Sequence, residues 1–569
     1  MFHACLNVSQ PITKISLTAL QRLFPFLGWP RPDAALLKSD FVAGLTITLM
    51  VIPQGVAYAA LAGMPLVTGI YAALLPALVA ALWSSSSRLS VGPTALTALL
   101  VGSSLSGLAA PGGADWVQLA VWLALLSGAL QLVLGFGKFG WLLNLMTSPV
   151  LTGFTQAAAI LIMLSQLPAL IGLQGPLPTL LQGASINPPA AAFGITSLVT
   201  LLLAKRLLAK RLPNFPTIIV VVVGSAAVSA WIGASASGTP VVGQLPSGLP
   251  SFYWPGWLPW STLSALLLPA MVITLVSYLE TASSAKAEHQ KAGTRWDENQ
   301  DLIGQGLAKF TAALCGTFPT STSFSRAAII LHAGAKSGWA TVATCFFIAL
   351  ALLWLMPLLH DVPKSVLAAV VIAAVGGLLK PRSIVQFWHV SKAEAVTCGV
   401  TFLLTLATAP RLHWGVLAGL LMSLSHFLHH RLHPRIIEVG LHPDGSLRDR
   451  HLWHLPPLAP HLYALRMDAE LDFASSSGFG LAIAQHLGAH PDTRHVCLFA
   501  QPINRVDVTG VEAFAQLRED LAKKGVTLHI SGIKLPVEQI LQRTNLLDDS
   551  PLLKMYRTDA EALAALAKM

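Results

Sequence analysis

Two short stretches decide how this chain is read: "TFPTSTSFSRAAI" at 317–329 and "SVGPTALTALLVG" at 90–102. Each begins with small hydroxyl residues around a Pro or a Gly-Pro, then turns into an apolar, helix-forming run. The second-half stretch also carries Arg326, a full charge inside a region that otherwise avoids charge. The composition says what surrounds them. Of 569 residues, 54% are hydrophobic and 11% charged, and mean hydropathy is +0.64. Soluble domains carry roughly 25% charged residues, so the chain reads as an integral membrane protein.

Working outward from the two stretches, apolar segments long enough to span or nearly span a bilayer fall at about 41–63, 67–84, 93–108, 116–136, 148–172, 189–208 and 215–235. A second set falls at about 262–283, 300–316, 322–334, 338–360, 364–379, 394–410 and 412–430. The fold class expected is an α-helical membrane protein of fourteen transmembrane segments, arranged as seven-plus-seven inverted repeats. An odd number per half forces opposite topology. The short, interrupted third member of each half places the binding site between the halves.

Charge fixes the expected orientation. With both termini cytoplasmic, the inside loops hold Arg88, Lys138, Lys205, Arg206, Lys210, Arg211, Lys286, Lys291, Arg295, Lys336, Lys380, Arg382, Lys392, Arg431 and Arg435. The outside loops hold little beyond Lys364 and Arg411, and 236–261 has no charge, as the positive-inside rule requires. The net charge of +10 therefore reports topology in an inner (plasma) membrane, and no nucleic-acid partner is expected. Residues 1–37 lack a long apolar core with a cleavage site and read as a cytoplasmic N-terminal segment. The transporter region runs over 38–432. Residues 433–459, rich in His, Pro and Arg, read as a linker. Residues 460–569 alternate strand and helix patterns and read as a small cytoplasmic α/β domain.

Five cysteines are scattered without CxxC spacing, so neither a disulfide framework nor a metal site is indicated. The cluster His429, His430 and His433 reads as a solvated basic helix end. No G-x-x-x-x-G-K-[ST] is present, which disfavours an ATP-driven pump. No cofactor is expected, and the chain does not read as an enzyme.

Two helix N-termini facing each other at mid-membrane present free N–H groups and about half a positive charge each, which already favours an anion. Thr94, Thr97, Thr320, Ser321, Thr322, Ser323 and Ser325 can cap those ends or donate to a ligand. Arg326 adds a planar fork suited to an oxyanion. The bland alternative is that Arg326 reaches an interface while the hydroxyls only cap. Glu280, in "ITLVSYLETASSAK", is a second ionisable group at membrane depth. It reads either as a proton-coupling carboxylate or as a structural partner, conceivably of Arg326 itself. Lys309 reads as snorkelling or pairing locally.

"VIPQGVAYAALAGMPLVTGIY" from 51, the Ser-x-Arg-x-x-x-Gly-Pro that opens the third segment, and "NQDLIGQGLAKFTAALCGTFPTSTSFSRAAI" (299–329) resemble the SulP family of sulfate permease-type anion transporters. "DAELDFASSS" (468–477) and "NRVDVTGVEAF" (504–514) resemble the STAS domain that such transporters carry. The resemblance implies a core of segments 1–4 and 8–11, a gate of segments 5–7 and 12–14, and an elevator movement of one against the other, usually in a homodimer. Carried over by position, it implies that Gln54, Tyr58, Thr94, Phe324, Ser325 and Arg326 line the substrate site and that Glu280 couples transport. Thr509 matches the position of a phosphorylated residue in related bacterial regulators, although an N-cap accounts for the same turn. Two departures stand out: Val67 and Thr68 where an aromatic often precedes Gly69, and Lys309 where a small or amide residue is usual.

The function expected is secondary active transport of a small oxyanion, most simply proton–sulfate symport. C4-dicarboxylate transport, sodium-coupled bicarbonate transport, an anion channel, and a membrane sensor signalling through the STAS domain are the alternatives.

Overall fold

The protein is described here by a computed structural model covering residues 21, 24–141, 147–173, 185–207, 216–548 and 550–568. Cys5, Lys210, Arg211 and most of the N-terminal segment lie outside the described residues, as do the side chains of Lys205 and Lys291. The chain forms two compact units, Met1–Ser423 and Leu424–Met569.

In the first unit, α1 (Ala34–Leu61) starts where Asp33 accepts from the Leu36 N–H, which satisfies one orphan donor of the first turn. The expected segment 67–84 is broken into a single turn, Thr68–Tyr71, and α2 (Leu75–Trp83) with Pro76 in its first turn. The first extended stretch, β1 (Val91–Gly92), leads into α3 (Ala95–Leu105). Then come α4 (Ala114–Phe136), α5 (Ser148–Leu170), α6 (Pro188–Leu207) and α7 (Thr217–Trp231).

The second half opens with α8 (Trp260–Ala292), which ends at Gly293 in the left-handed conformation, and α9 (Glu298–Leu314), capped by Asp297. The second extended stretch, β2 (Ser321–Thr322), leads into α10 (Phe324–His332). Next is α11 (Trp339–Leu350), which loosens into a π turn and then a 3-10 turn around Pro357, whose missing N–H breaks the ladder. The remaining helices are α12 (Lys364–Val375), α13 (Pro381–Val390), α14 (Lys392–Ala407) and α15 (His413–Leu432). The helix α13, which buries no residue, was not foreseen from the sequence.

Among the described residues, six helical stretches are long and apolar enough to cross a membrane by themselves: Ala34–Leu61, Ala114–Phe136, Ser148–Leu170, Trp260–Gln290, Trp339–Leu359 and Lys364–Val390. Ala95–Leu105, Pro188–Ala204 and Thr217–Trp231 are shorter apolar helices. Packing sorts them into two sets. In one, α9 lies on α4 and α2, α8 lies on α4, and α11 lies on α1; in the other, α14 lies on α5, and α12 on α5 and α6. The sets meet where α1 touches α12 and α7 and where α3 touches α5. Close crossing depends on glycine: a Cβ on Gly69 would stand 1.9 Å from the Gly55 carbonyl oxygen.

The second unit is a six-stranded sheet. Its strands are β3 (Ile436–Leu441), β4 (Leu447–Asp449), β5 (Leu462–Met467), β6 (His495–Phe499), β7 (Thr527–Ser531) and β8 (Leu553–Tyr556). They run in the order β4-β3-β5-β6-β7-β8, parallel from β5 to β8 and antiparallel at β3 and β4. Helices α16 (Ser476–Ala489), α17 (Val508–Lys523), α18 (Leu535–Arg543) and α19 (Asp559–Leu566) complete it. The stretch 433–459, read as a linker, thus contains two paired strands. Its polar composition hid them because β3 buries only alternate positions and a neighbour, while β4 buries none.

Candidate functional site between the two half-helices

The two stretches that opened the sequence reading meet. Strands β1 and β2 pair antiparallel, Val91 opposite Thr322 and Gly92 opposite Ser321. The Ser323 N–H extends the pairing to the Ser90 carbonyl at 3.0 Å. Both helices then start with the same device: Thr94 accepts from the Thr97 N–H on α3, and Ser323 accepts from the Arg326 N–H on α10. Thr97 and Arg326 hold equivalent positions three residues past their caps, so the pseudo-symmetry is broken by one cation.

Arg326 is 1% exposed. Its Nε donates to Ser90 Oγ at 3.2 Å, one Nη to Gln54 Oε1 at 3.4 Å, and the other to the Pro93 carbonyl at 3.0 Å. The guanidinium therefore does not reach for an interface. Three of its five N–H donors hold it in place, and two remain for a ligand among the described contacts. Gly92 beside the fork takes φ 153°, a backbone conformation that side-chain-bearing residues rarely adopt.

Glu280 on α8 accepts from Ser321 Oγ at 2.5 Å and from Thr94 Oγ1 at 3.3 Å. One carboxylate thus bridges β2 and the cap of α3. Arg326 and Glu280 have different partners, so the carboxylate is not simply a placeholder on the guanidinium. Behind them, Thr281 and Thr322 share a hydrogen bond of 2.9 Å, and Gln305 Nε2 donates to Thr322.

Of the residues expected at the site, Gln54, Thr94, Glu280 and Arg326 are joined by this network. Tyr58 is buried one turn from Gln54 on the same face of α1. Phe324, 52% exposed, and Ser325, also exposed, lie at the start of α10 outside the buried set. Sequence reasoning missed Ser90 and the Pro93 carbonyl as holders of Arg326. Lys309 does not snorkel; it is fully buried, donating to Gln131 Oε1 at 2.8 Å and Ser277 Oγ at 2.9 Å.

In the tail, Asp507 caps α17 by accepting from the Gly510 N–H at 2.8 Å, and Thr509 is exposed in that first turn. The three clustered histidines lie exposed at the end of α15, with the His429 and His433 rings 4.3 Å apart.

Comparison with known proteins places the chain in a family. Residues 37–401 match the model of the sulfate permease family, and 457–562 match that of the STAS domain. The chain is 32% identical over 555 residues to "Probable sulfate transporter 4.2" of Arabidopsis thaliana, covering 93% of this chain and 81% of that one. It is 30% identical over 570 residues to "Sodium-independent sulfate anion transporter" of Bos taurus, covering 93% and 90%. Among solved structures, the murine Solute Carrier 26 family member A9 anion transporter in the inward-facing state superposes with a TM-score of 0.85 at 22% identity, covering 100% of this chain and 97% of that one. The transmembrane domain of a cyanobacterium bicarbonate transporter superposes with a TM-score of 0.58 at 18% identity, covering 70% and 99%. A buried cation between two capped half-helices, and matches along nearly the whole chain, lead to one conclusion: this multi-pass membrane protein belongs to the sulfate permease family of anion transporters and carries a C-terminal STAS domain.

Proposed function

We propose that this chain carries a small oxyanion, most simply sulfate, together with a proton. The observation that carries the reading is the immobilised Arg326 fork with two unused donors, set beside the Glu280 carboxylate at the meeting point of two helix N-termini. The donors and helix ends suit an oxyanion. Gln54, Tyr58 and Thr94 complete the buried wall, and Phe324 and Ser325 form its exposed rim.

Glu280 is the proton carrier. Its two hydroxyl partners can turn to donate to a carboxylate or to leave room for its proton, so both states fit without rearranging the helices. The set holding the site moves against the set of α5, α6, α7, α12, α14 and α15 in an elevator step, in a homodimer. The protein resides in the plasma (inner) membrane with both termini in the cytoplasm, an orientation that the Lys/Arg asymmetry of the loops supports. Exposed Thr509, free of the capping role that Asp507 fills, is a regulatory phosphorylation site at a helix N-terminus, where added negative charge is favoured.

The test is uptake of labelled sulfate by purified protein in proteoliposomes, at two external pH values, competed by thiosulfate, oxalate, bicarbonate and a C4-dicarboxylate. Uptake driven by an inward proton gradient and competed best by tetrahedral oxyanions is expected. Dependence on a sodium gradient, with bicarbonate the strongest competitor, would replace this reading with sodium-coupled bicarbonate transport.

A further inference from the structure

Lys309 has no assigned part in the reading above, yet it is among the largest fully buried side chains of the molecule. Its stem is accommodated by Gly128 of α4, where a Cβ would stand 3.1 Å from the Lys309 Cβ. Its amino group meets only neutral oxygens, Gln131 Oε1 and Ser277 Oγ. Ser277 Oγ also accepts from Gln131 Nε2 at 2.9 Å and gives its own proton to the Thr274 carbonyl at 3.3 Å. As oriented, both partners present acceptor oxygens to Nζ, an arrangement that suits an ammonium, which only donates.

The acid nearest in sequence to these partners on α8 is Glu280, one turn beyond Ser277. Counted at about 1.5 Å per residue, Glu280 and Lys309 both lie roughly 17 Å from the α8–α9 connection, at mid-membrane depth. Other buried charges of this unit serve the helix ends. Asp40 holds the 336–337 backbone and hydroxyl, Asp301 holds Ser85, Ser86 and Trp296, and Glu288 pairs with Arg88. Around the site itself, the balance among the described residues is Arg326 and Lys309 against Glu280.

We propose that Lys309 is a specificity-determining residue that fixes which anion charge travels with a proton. Net charge inside a low-dielectric barrier is costly, so the loaded site crosses best when neutral. With two fixed cations and one carboxylate, neutrality is reached by a divalent anion plus one proton on Glu280, or by a monovalent anion with Glu280 ionised. Sulfate is then obligatorily proton-coupled, and a monovalent anion moves without a proton. The empty site keeps one positive charge, so its return is the slow step and exchange outruns net uptake. Without the Lys309 charge, a divalent anion leaves the site negative whatever Glu280 does, while a monovalent anion becomes neutral only with a proton.

This rests on the transport reading, and the experiment separates the two. Wild type, Lys309→Gln and Lys309→Arg are reconstituted, and uptake of labelled sulfate and of nitrate is measured with and without an inward proton gradient. Expected are sulfate uptake that needs the gradient and nitrate uptake that does not in wild type. In Lys309→Gln the sulfate-to-nitrate ratio should fall by roughly tenfold or more, the scale of one charge-assisted contact, and nitrate uptake should become gradient-driven. Lys309→Arg should keep the wild-type ratio even at reduced rate. An unchanged ratio in Lys309→Gln overturns the proposal and leaves the transport reading intact; transport of neither anion by wild type overturns both. Should the variants fail to fold, wild type alone decides. Sulfate exchange at saturating sulfate on both sides must be independent of membrane potential, and a voltage-dependent exchange rate overturns the proposal.

Discussion

At the scale of single residues, Arg326 is positioned by protein contacts that do not depend on a bound anion. Arg326→Ala should leave the fold intact and raise the half-saturation concentration for transported oxyanions by roughly ten- to a hundredfold, the cost of about 1.5–3 kcal/mol for a charge-assisted hydrogen bond. Labelled-sulfate saturation curves check this, and an unchanged half-saturation would remove Arg326 from the binding wall. Arg326→Lys should rescue only in part. It restores charge but cannot reach Ser90, Gln54 and the Pro93 carbonyl together, as the fork does. The sequence made Arg326 and Glu280 visible because a charge in an apolar run needs a reason. It did not reveal their partners: Ser90 lies 236 residues from Arg326, and a backbone carbonyl such as that of Pro93 leaves no mark in the sequence.

At the scale of elements, the half-helices were legible because extended Gly-Pro and Thr-Ser stretches cannot lie against lipid and must line a protein-buried site. Their pairing register, Val91 with Thr322, required the fold. The broken second segment was less legible: Pro76 marks the start of α2, but the Gly55–Gly69 crossing that seats the Thr68–Tyr71 turn required the fold. Gly69→Ala should force α1 and the Thr68–Tyr71 turn apart, because the new methyl would overlap the Gly55 carbonyl. Overpacking of this kind costs about 1–3 kcal/mol or more. A lowered melting temperature in detergent is expected, while Gly224→Ala, inside α7 with nothing within 4 Å of the new methyl, should not lower it. Strands β3 and β4 escaped the sequence reading for a different reason. They sit at the antiparallel edge of the sheet, where His, Pro and Arg are tolerated and the apolar alternation is weak.

At the scale of the whole molecule, the tail carries a pH dependence of its own. His529, buried on β7 with Nδ1 against the Tyr556 hydroxyl and Nε2 facing His495 Nδ1, has its pKa pushed down to about 4 by burial and by the nearby His495 and Lys554. An unfolded His titrates near 6.5, so the unfolded tail binds the extra proton first. The stability contribution is present above about pH 6.5 and is lost as the pH falls toward 4. Hydrogen exchange of residues 527–531 in the full chain, corrected for intrinsic rates, should show protection falling across that window. His529→Gln should weaken the dependence. Removing the tail after His433, before β3 begins, should reduce flux but keep the anion preference, because every residue of the proposed site lies in the first unit. Competition profiles of full-length and truncated protein check this.

The central claim is that one carboxylate links anion movement to the proton gradient. Glu280→Gln keeps the shape and the hydrogen bonds to Ser321 and Thr94 while fixing the neutral form. The decisive measurement compares concentrative uptake of labelled sulfate under an inward proton gradient with sulfate–sulfate exchange in the same proteoliposomes. Wild type should do both, and Glu280→Gln should exchange without accumulating. Accumulation by Glu280→Gln in response to the pH gradient would contradict the account.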